Sequence, residues 1–410
     1  MASGPTGSPA PRPADLRSPA ALAMELAVGG PDGLAAVSAV RRAHPEVDPA
    51  LISALATQAR LRERARPRLG TWAEELVLSD TGLQQASRAE VARYRGAELA
   101  RRLGRVGVTV ADLGCGLGVD SLGLAAAGFN VRAVESDAWT AEAAQINATI
   151  IPGRISVLCV DAMQVDLEGC AAAFCDPARR DQSGPSNRAG TRALPYADPA
   201  QWSPPWPWVC ALSGRIPLVA KAAPGLPGSH VPDDAEREWI ACDGELVETC
   251  VWFAPLGAAT RRATAVGPGG QASVSDRDIA SDATAEPVTV LIEASPAVVR
   301  ARLLPALAAR LGIAAVRGSS HWLTAAAPLS DPLVRCWHVE RELPAEPVEL
   351  RAALRGRGSV TWKTRDIDTG AEDIARRVGH RLARTGTAIT VAWVRVDGRP
   401  HAFEVVPATS

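Results

Sequence analysis

The stretch VADLGCGLGVDSLGLAAAGFNVRAVESD, Val110 to Asp137, decides the fold. Val108 to Ala111 reads as a strand ending in Asp112, followed by a tight turn of Gly114, Cys115, Gly116, Leu117 and Gly118. Asp120 to Ala127 reads as a helix that Gly128 stops, and Asn130 to Val134 as a second strand closed by Glu135. Apolar runs of strand, helix and strand length in that order form half of a βαβ nucleotide-binding unit. Glycines in such a turn accept positive φ and let backbone N–H groups approach a ligand. An acid about 20 residues further on, here Glu135, can accept hydrogen bonds from both ribose hydroxyls. The turn by itself leaves open which nucleoside ligand it serves.

Working outward, 410 residues lead to an expectation of two or three domains. A hydrophobic content of 47% supports proper cores, and a net charge of -1 makes no global case for nucleic acid or membrane. Eight cysteines without a C-x-x-C pair argue against a zinc site and against a secreted disulfide scaffold. No charged segment leading into an apolar run opens the chain, and no apolar run approaches the roughly 20 residues of a membrane span. The expectation is therefore a cytoplasmic protein with reduced thiols, no metal and no membrane partner. Arginine dominates the basic residues and lysine is scarce. Nothing in the sequence fixes an oligomeric state.

Residues 1–17 are rich in Pro, Gly and Ser and read as a disordered tail. Residues 18–105 read as a helical region. Leu51, Leu55 and Ala59 recur at helical spacing, and Ser87 to Glu90 has the spacing of a capping box. Residues 106–266 carry the strand–turn–helix alternation and an expected antiparallel pair, GELVETCVWFA with RRATAVG. Residues 267–287 read as a linker. Residues 288–410 repeat an α/β pattern, with one helix over Pro296–Leu311 and a terminal hairpin turning at Asp397-Gly398. The fold class is α/β, a Rossmann-like core with a helical N-terminal region and a second α/β domain.

A nicotinamide dehydrogenase would open its helix with G-x-G-x-x-G, whereas this turn is G-x-G-x-G with an acid two residues before the first glycine. Asp161 follows a third strand, ISVLCV, where a carboxylate can meet an adenine amino group. After a fourth apolar strand, Asp176-Pro177 stands where a ligand's reacting end should lie, outside the carboxyl edge of the sheet. These four strand ends together resemble the class I S-adenosylmethionine-dependent methyltransferases. The ordered segments LQQASRAEVARYRG, FCDPARR, WSPPWPWV, KAAPGLPG, EREWIACDGELVETCVWFAPLGAATRRATAV and ASPAVVRARL are similar to a bacterial family within that class. Its members join a helical N-terminal region, a methyltransferase core and a THUMP-like C-terminal domain. The similarity runs over most of the chain from about residue 20.

The resemblance implies S-adenosylmethionine as cofactor. Asp112, Gly114, Cys115, Gly116 and Gly118 would surround its methionine part, Glu135 the ribose and Asp161 the adenine, with Gln85 and Ser87 contributing from the preceding segment. It also implies a THUMP-like domain over 288–410. Where the family has E-P-D-P this chain reads Glu293-Ala-Ser-Pro296, and where it has a K-K-R-G-like strand end the chain reads Trp362-Lys363-Thr-Arg365-Asp366.

Methyl transfer from a sulfonium is an in-line displacement that needs alignment, desolvation and help with the acceptor's proton. Asp176 and the Pro177 carbonyl can accept N–H bonds from an amine and aim its lone pair at the methyl group. Ala178 and Arg179 stand where nucleic-acid amino-methylating enzymes carry proline and an aromatic, so no stacking ring is expected there. The alternative for Asp176 is a turn acid paired with Arg179 or Arg180. Cys175 reads as core, Trp202–Val209 as a packed loop or a stacking platform, and Arg60–Arg68 as a solvated helix face or a phosphate contact. Lys221 and Arg215 face either substrate or solvent, and His321 and His338 read as structural. The leading function is N-methylation of a base in RNA. THUMP-like modules suggest RNA, and residues 289–410 hold 17 basic and 12 acidic residues, a balance of +5. The alternatives are a small-molecule or protein methyltransferase, or a non-catalytic protein that binds RNA or S-adenosylmethionine.

Overall fold

The computed structural model describes residues 11–18, 21, 25, 33–178, 198–287, 289–364, 370–379 and 387–408. The chain divides into two units, Met1–Ala222 with Trp252–Leu256, and Ala223–Val251 with Gly257–Ser410.

In the first unit, helices α1 (Gly33–Ala43), α2 (Pro49–Leu69), α3 (Asp80–Gln85) and α4 (Ala89–Leu103) precede the sheet. The alternation that follows is β1 (Thr109–Leu113), α5 (Val119–Ala126), β2 (Asn130–Glu135), α6 (Ala138–Asn147), β3 (Ile155–Cys159), β4 (Cys170–Cys175), α7 (Trp206–Ser213) and β5 (Leu218–Ala222). The strands pair in parallel in the order β3-β2-β1-β4-β5. A parallel sheet covered by helices needs continuous apolar strands. Val110, Ala111 and Leu113, and Ala172 to Cys175, meet that need by being fully buried. The chain order reverses between β1 and β4, so their carboxyl ends leave a crevice at a topological switch point.

Helix α4 lies against α5 through two glycines. A Cβ on Gly96 would stand 2.3 Å from the Gly123 carbonyl oxygen, and one on Gly123 would stand 2.3 Å from that of Ala92. Only bare backbone fits, and that approach carries Ser87 and Arg95 to the start of α5. Apolar residues of α2 (Ile52, Leu55, Leu61, Leu69) share a core with Leu76, Leu83, Leu117 and Leu122. Among the described residues no helix is long and apolar enough to cross a membrane.

Two readings of the first unit differ from the structure. Residues 1–10 lie outside the described residues, but Pro13–Arg17 forms a 3-10 turn, with Arg12 paired to Glu142 at 2.9 Å and the Pro11 carbonyl accepting from Trp139 Nε1. A short amphipathic turn docked on α6 thus replaces part of the expected tail. The Ser87–Glu90 capping box does not form, because α4 has no side-chain cap at its N-terminus and Ser87 instead donates to Asp120. Arg62, Arg64 and Arg66 pair with Glu25, Asp80 and Glu74, while Arg68 donates to the Leu83 and Gln84 carbonyls. Arg60, Arg64 and Arg66 are exposed, so the reading of this run as a solvated helix face agrees with the structure, with Arg62 and Arg68 partly covered.

The second unit holds β6 (Glu236–Cys242), β7 (Glu245–Trp252), β8 (Arg261–Gly267) and β9 (Gly270–Ser275), ordered β7-β6-β8-β9. The expected partner of β7 was β8, but β8 runs parallel to β6 and antiparallel to β9. The segment read as a linker, 267–287, therefore contains β9 and β10 (Thr284–Ala285). Its Gly-rich start is the turn of a hairpin, and Val274 is buried. The second sheet adds β11 (Val290–Ala294), α8 (Pro296–Ala301), α9 (Leu304–Leu311), β12 (Ala314–Val316), β13 (Trp322–Ala325), β14 (Val334–Leu343), α10 (Pro347–Ala353), β15 (Val360–Thr364), α11 (Ala371–Val378), β16 (Ile389–Val396) and β17 (Arg399–Pro407). Its order is β10-β12-β13-β11-β14-β17-β16-β15. Arg302, in the left-handed region at φ 58°, splits the expected single helix into α8 and α9. The hairpin at Asp397-Gly398 forms with both residues at positive φ, as its residues demand.

Candidate active site

The site grows from the carboxyl ends of β1 and β4. After β1 the chain turns through Gly114 (φ 83°), Gly116 (φ 54°) and Gly118 (φ 83°). The N–H groups of Gly114 and Cys115 both bond to the Val134 carbonyl, at 3.0 and 2.9 Å, which fixes the turn over β2. A Cβ on Gly114 would lie 3.1 Å from the Asp176 carbonyl oxygen, so the glycine turn and the Asp176-Pro177 segment are in close approach. A Cβ on Gly116 would meet nothing within 4 Å. The turn is an open cradle at that residue.

Glu135 ends β2 and reaches back to the cradle, where its Oε2 accepts from the Gly116 N–H at 3.1 Å. Its Oε1 accepts from the Asp137 N–H at 2.9 Å. Asp161 follows β3 and is held by the Met163 N–H at 2.8 Å. Cys115 is buried, and burial pushes its thiol well above the usual range, so it contributes backbone to the turn and no thiolate. Gln85 is exposed at the end of α3. The structure joins Ser87 to the network below and gives Gln85 no such place.

Beneath the turn lies a set of charged groups that sequence reasoning did not assemble. Asp112 is fully buried, with Oδ2 accepting from Ser121 Oγ at 2.5 Å and Oδ1 without a hydrogen-bond partner among the described residues. Burial pushes its carboxyl up to about 8, with nearby Asp120 adding to the shift. Asp120, two residues after Gly118, pairs with the buried Arg95 guanidinium and accepts from Ser87 Oγ at 2.9 Å. Arg95 also lies over the Phe174 ring, 4.7 Å from its centroid. Lys221 on β5 donates to Ser87 Oγ at 3.2 Å and to Asp176 Oδ2 at 2.5 Å. Desolvation raises the Asp176 carboxyl against the opposing pull of Lys221.

The alternative partners for Asp176, Arg179 and Arg180, lie outside the described residues. Its ion pair in the structure is with Lys221. The signal for the missed residues was an arginine on the apolar face of α4 and an acid inside the glycine turn's helix, each costly to bury unpaired. The segment after Asp176 is anchored. Ala178 and Ser203 exchange backbone hydrogen bonds at 2.8 and 2.9 Å. Trp202 and Trp206 are buried edge to face at 5.6 Å, and Trp206 packs 6.2 Å from Phe253. Trp202 and Trp206 of WSPPWPWV hold that loop down and are not an open stacking platform, while Trp208 is half-buried. Cys175 is fully buried, as a core residue should be.

A parallel sheet ordered β3-β2-β1-β4-β5, a glycine cradle after β1 and an acid ending β2 define the Rossmann-like fold of class I methyltransferases. No protein-family model matches the chain. It is 29% identical over 337 residues to a protein from two Mycobacterium tuberculosis strains, described as an uncharacterized S-adenosylmethionine-dependent methyltransferase, covering 77% of this chain and 83% of that one. A candidate methyltransferase from Porphyromonas gingivalis W83, known from its crystal structure, superposes with a TM-score of 0.66 at 20% identity, over 88% of this chain and 92% of that one. That likeness extends the shared fold through most of the chain.

Proposed function

We propose that this protein transfers the methyl group of S-adenosylmethionine to a nitrogen of a base in RNA. The enzyme class, a class I S-adenosylmethionine-dependent methyltransferase, agrees with the fold, the cradle and the curated relatives. The observation that carries the nitrogen reading is Asp176-Pro177 beside the glycine turn, with the Asp176 carbonyl in close approach to Gly114. The residues present fit the cofactor. Gly116 leaves open space, Glu135 already sits on the turn as a hydrogen-bond acceptor, and Asp112 Oδ1 is a buried oxygen without a partner among the described residues. When bound, the cofactor supplies a methyl group that is already activated. Asp112 and the turn would hold its methionine part, Glu135 its ribose and Asp161 its adenine. Asp176 would accept the acceptor's N–H, orient its lone pair and take up the proton released on transfer.

Hydrogen bonds to a charged group are worth about 1.5–3 kcal/mol. Glu135→Ala is therefore expected to weaken S-adenosylmethionine binding by roughly tenfold to over a hundredfold. Titration calorimetry reads this directly, and an unchanged affinity would remove Glu135 from the ribose site.

RNA as acceptor is supported by the +5 balance of residues 289–410 and by the resemblance to THUMP-like proteins. Lys363 is not a free phosphate contact, since it pairs with buried Glu293 at 3.1 Å. Arg365, Arg381 and Arg384 lie outside the described residues. Arg376 and Arg377 are exposed in the last turn of α11, although Arg376 also pairs with Asp373. If both meet phosphate, Arg376→Gln with Arg377→Gln should flatten the dependence of log K on log salt by about 1.4–1.8 units. Filter binding of bulk cellular RNA across salt concentrations measures the slope. No change would take this face out of the RNA path, and no binding by the intact protein would end the RNA reading.

A further inference from the structure

Of the chain's 44 basic residues only two are lysines, Lys221 and Lys363. Lys221 is half-buried on β5, and its Nζ meets a single oxygen of Asp176, Oδ2. The other oxygen, Oδ1, has no hydrogen-bond partner among the described residues, and 27% of the Asp176 side chain remains exposed. One oxygen is clamped and one is open. An ammonium is a compact point charge, whereas a guanidinium is a planar fork that engages both oxygens of a carboxylate. In a chain that otherwise uses arginine, the one-point donor stands where a fork would close the site.

We propose that Lys221 is a positioning residue for methyl transfer, clamping Asp176 Oδ2 so that Oδ1 faces the acceptor's N–H. The inference rests on the methyltransferase reading above. In the step it serves, the acceptor nitrogen's lone pair forms the C–N bond as the C–S bond breaks, and that electron pair stays on sulfur as a neutral thioether. The proton of the acceptor passes to Asp176 Oδ1 and then to solvent. Lys221 keeps its proton throughout. Its second contact, Ser87 Oγ, ties the clamp through Asp120 to Arg95, so the carboxylate is oriented from the α4–α5 contact as well as from β5. Among the described residues, Asp112, Asp120 and Arg95 also place charge around this pair.

The test compares Lys221→Met and Lys221→Arg in the full chain. Methyl transfer is followed from labelled S-adenosylmethionine to total RNA taken from cells lacking the protein, and cofactor affinity by calorimetry. Both variants should lose about tenfold or more in kcat, with cofactor Kd held within about twofold. Arginine should rescue no better than methionine. Wild-type kcat in Lys221→Arg would overturn the proposal, as would parallel losses of kcat and cofactor affinity. A second reading needs no acceptor. In protein labelled with 13C at aspartate carboxyls, the Asp176 signal, assigned by its loss in Asp176→Asn, should titrate at higher pH in Lys221→Met than in wild type. An unchanged midpoint would also overturn the proposal. If the wild-type protein binds no S-adenosylmethionine, the methyltransferase reading fails, and this titration still decides whether Lys221 governs Asp176.

Discussion

Asp176→Asn is expected to lower kcat by about 10²–10⁴ while leaving S-adenosylmethionine affinity within about threefold of wild type. Asparagine keeps the size of the side chain and one acceptor oxygen, so it still fits between Lys221 and the glycine turn. It loses the charge that pairs with Lys221 and the capacity to take a proton from the acceptor. The groups proposed to hold the cofactor, Glu135 and the Gly116 backbone, are bonded to each other and not to Asp176. The loss should therefore fall on turnover alone. Single-turnover rates with bound cofactor, beside calorimetric Kd values, separate the two effects. A variant with wild-type turnover would make Asp176 a structural turn acid, and one that no longer binds cofactor would place it in the cofactor site.

The core was legible because its signals are local. Three glycines in five residues, an acid two positions before them and another closing the next strand can be read without any tertiary contact, and the structure places β1, α5 and β2 within a residue or two of those readings. The charged network was not legible for the opposite reason. Arg95, Asp120 and Lys221 lie on α4, α5 and β5 and Asp176 just after β4, and only the Gly96–Gly123 approach and the parallel order of β1, β4 and β5 bring them together. Ser87 shows the limit most plainly. Its spacing to Glu90 suited a local cap, but a tertiary partner, Asp120, took its hydroxyl. Segment 267–287 failed likewise. Its Gly, Ser and Asp content reads as linker, whereas the structure uses those residues for tight turns around β9. Lys221 was visible as a residue, but its partner was not.

Asp112→Asn should make the protein more stable in alkaline solution and less sensitive to pH. In the folded chain burial raises the Asp112 carboxyl to about 8, far above the ordinary aspartate value of 3.8. Between those two values the folded form holds a proton that the unfolded form has released. Stability from this group is therefore full below the unfolded value and falls as pH rises through the window, by at most about 1.4 kcal/mol per pH unit. The accumulated cost near pH 8 has a ceiling of roughly 5 kcal/mol. Asparagine never ionises and escapes it, although a buried amide N–H without a partner would take back about 1–3 kcal/mol. Urea unfolding at several pH values from 5 to 8.5 should thus show the wild type losing stability relative to the variant, with the gap widening upward in pH. Parallel curves would mean that Asp112 ionises normally in the folded state. A residue that destabilises its own fold in this way needs a compensating use, and in the proposed function the cationic methionine end of the cofactor would supply one. Its ammonium and sulfonium favour the ionised carboxylate, so wild-type affinity should rise with pH up to about 8 and the Asp112→Asn variant should lose that rise. Stability surrendered in the free protein then reappears as affinity in the loaded one, the exchange expected where a buried charge serves binding and not folding.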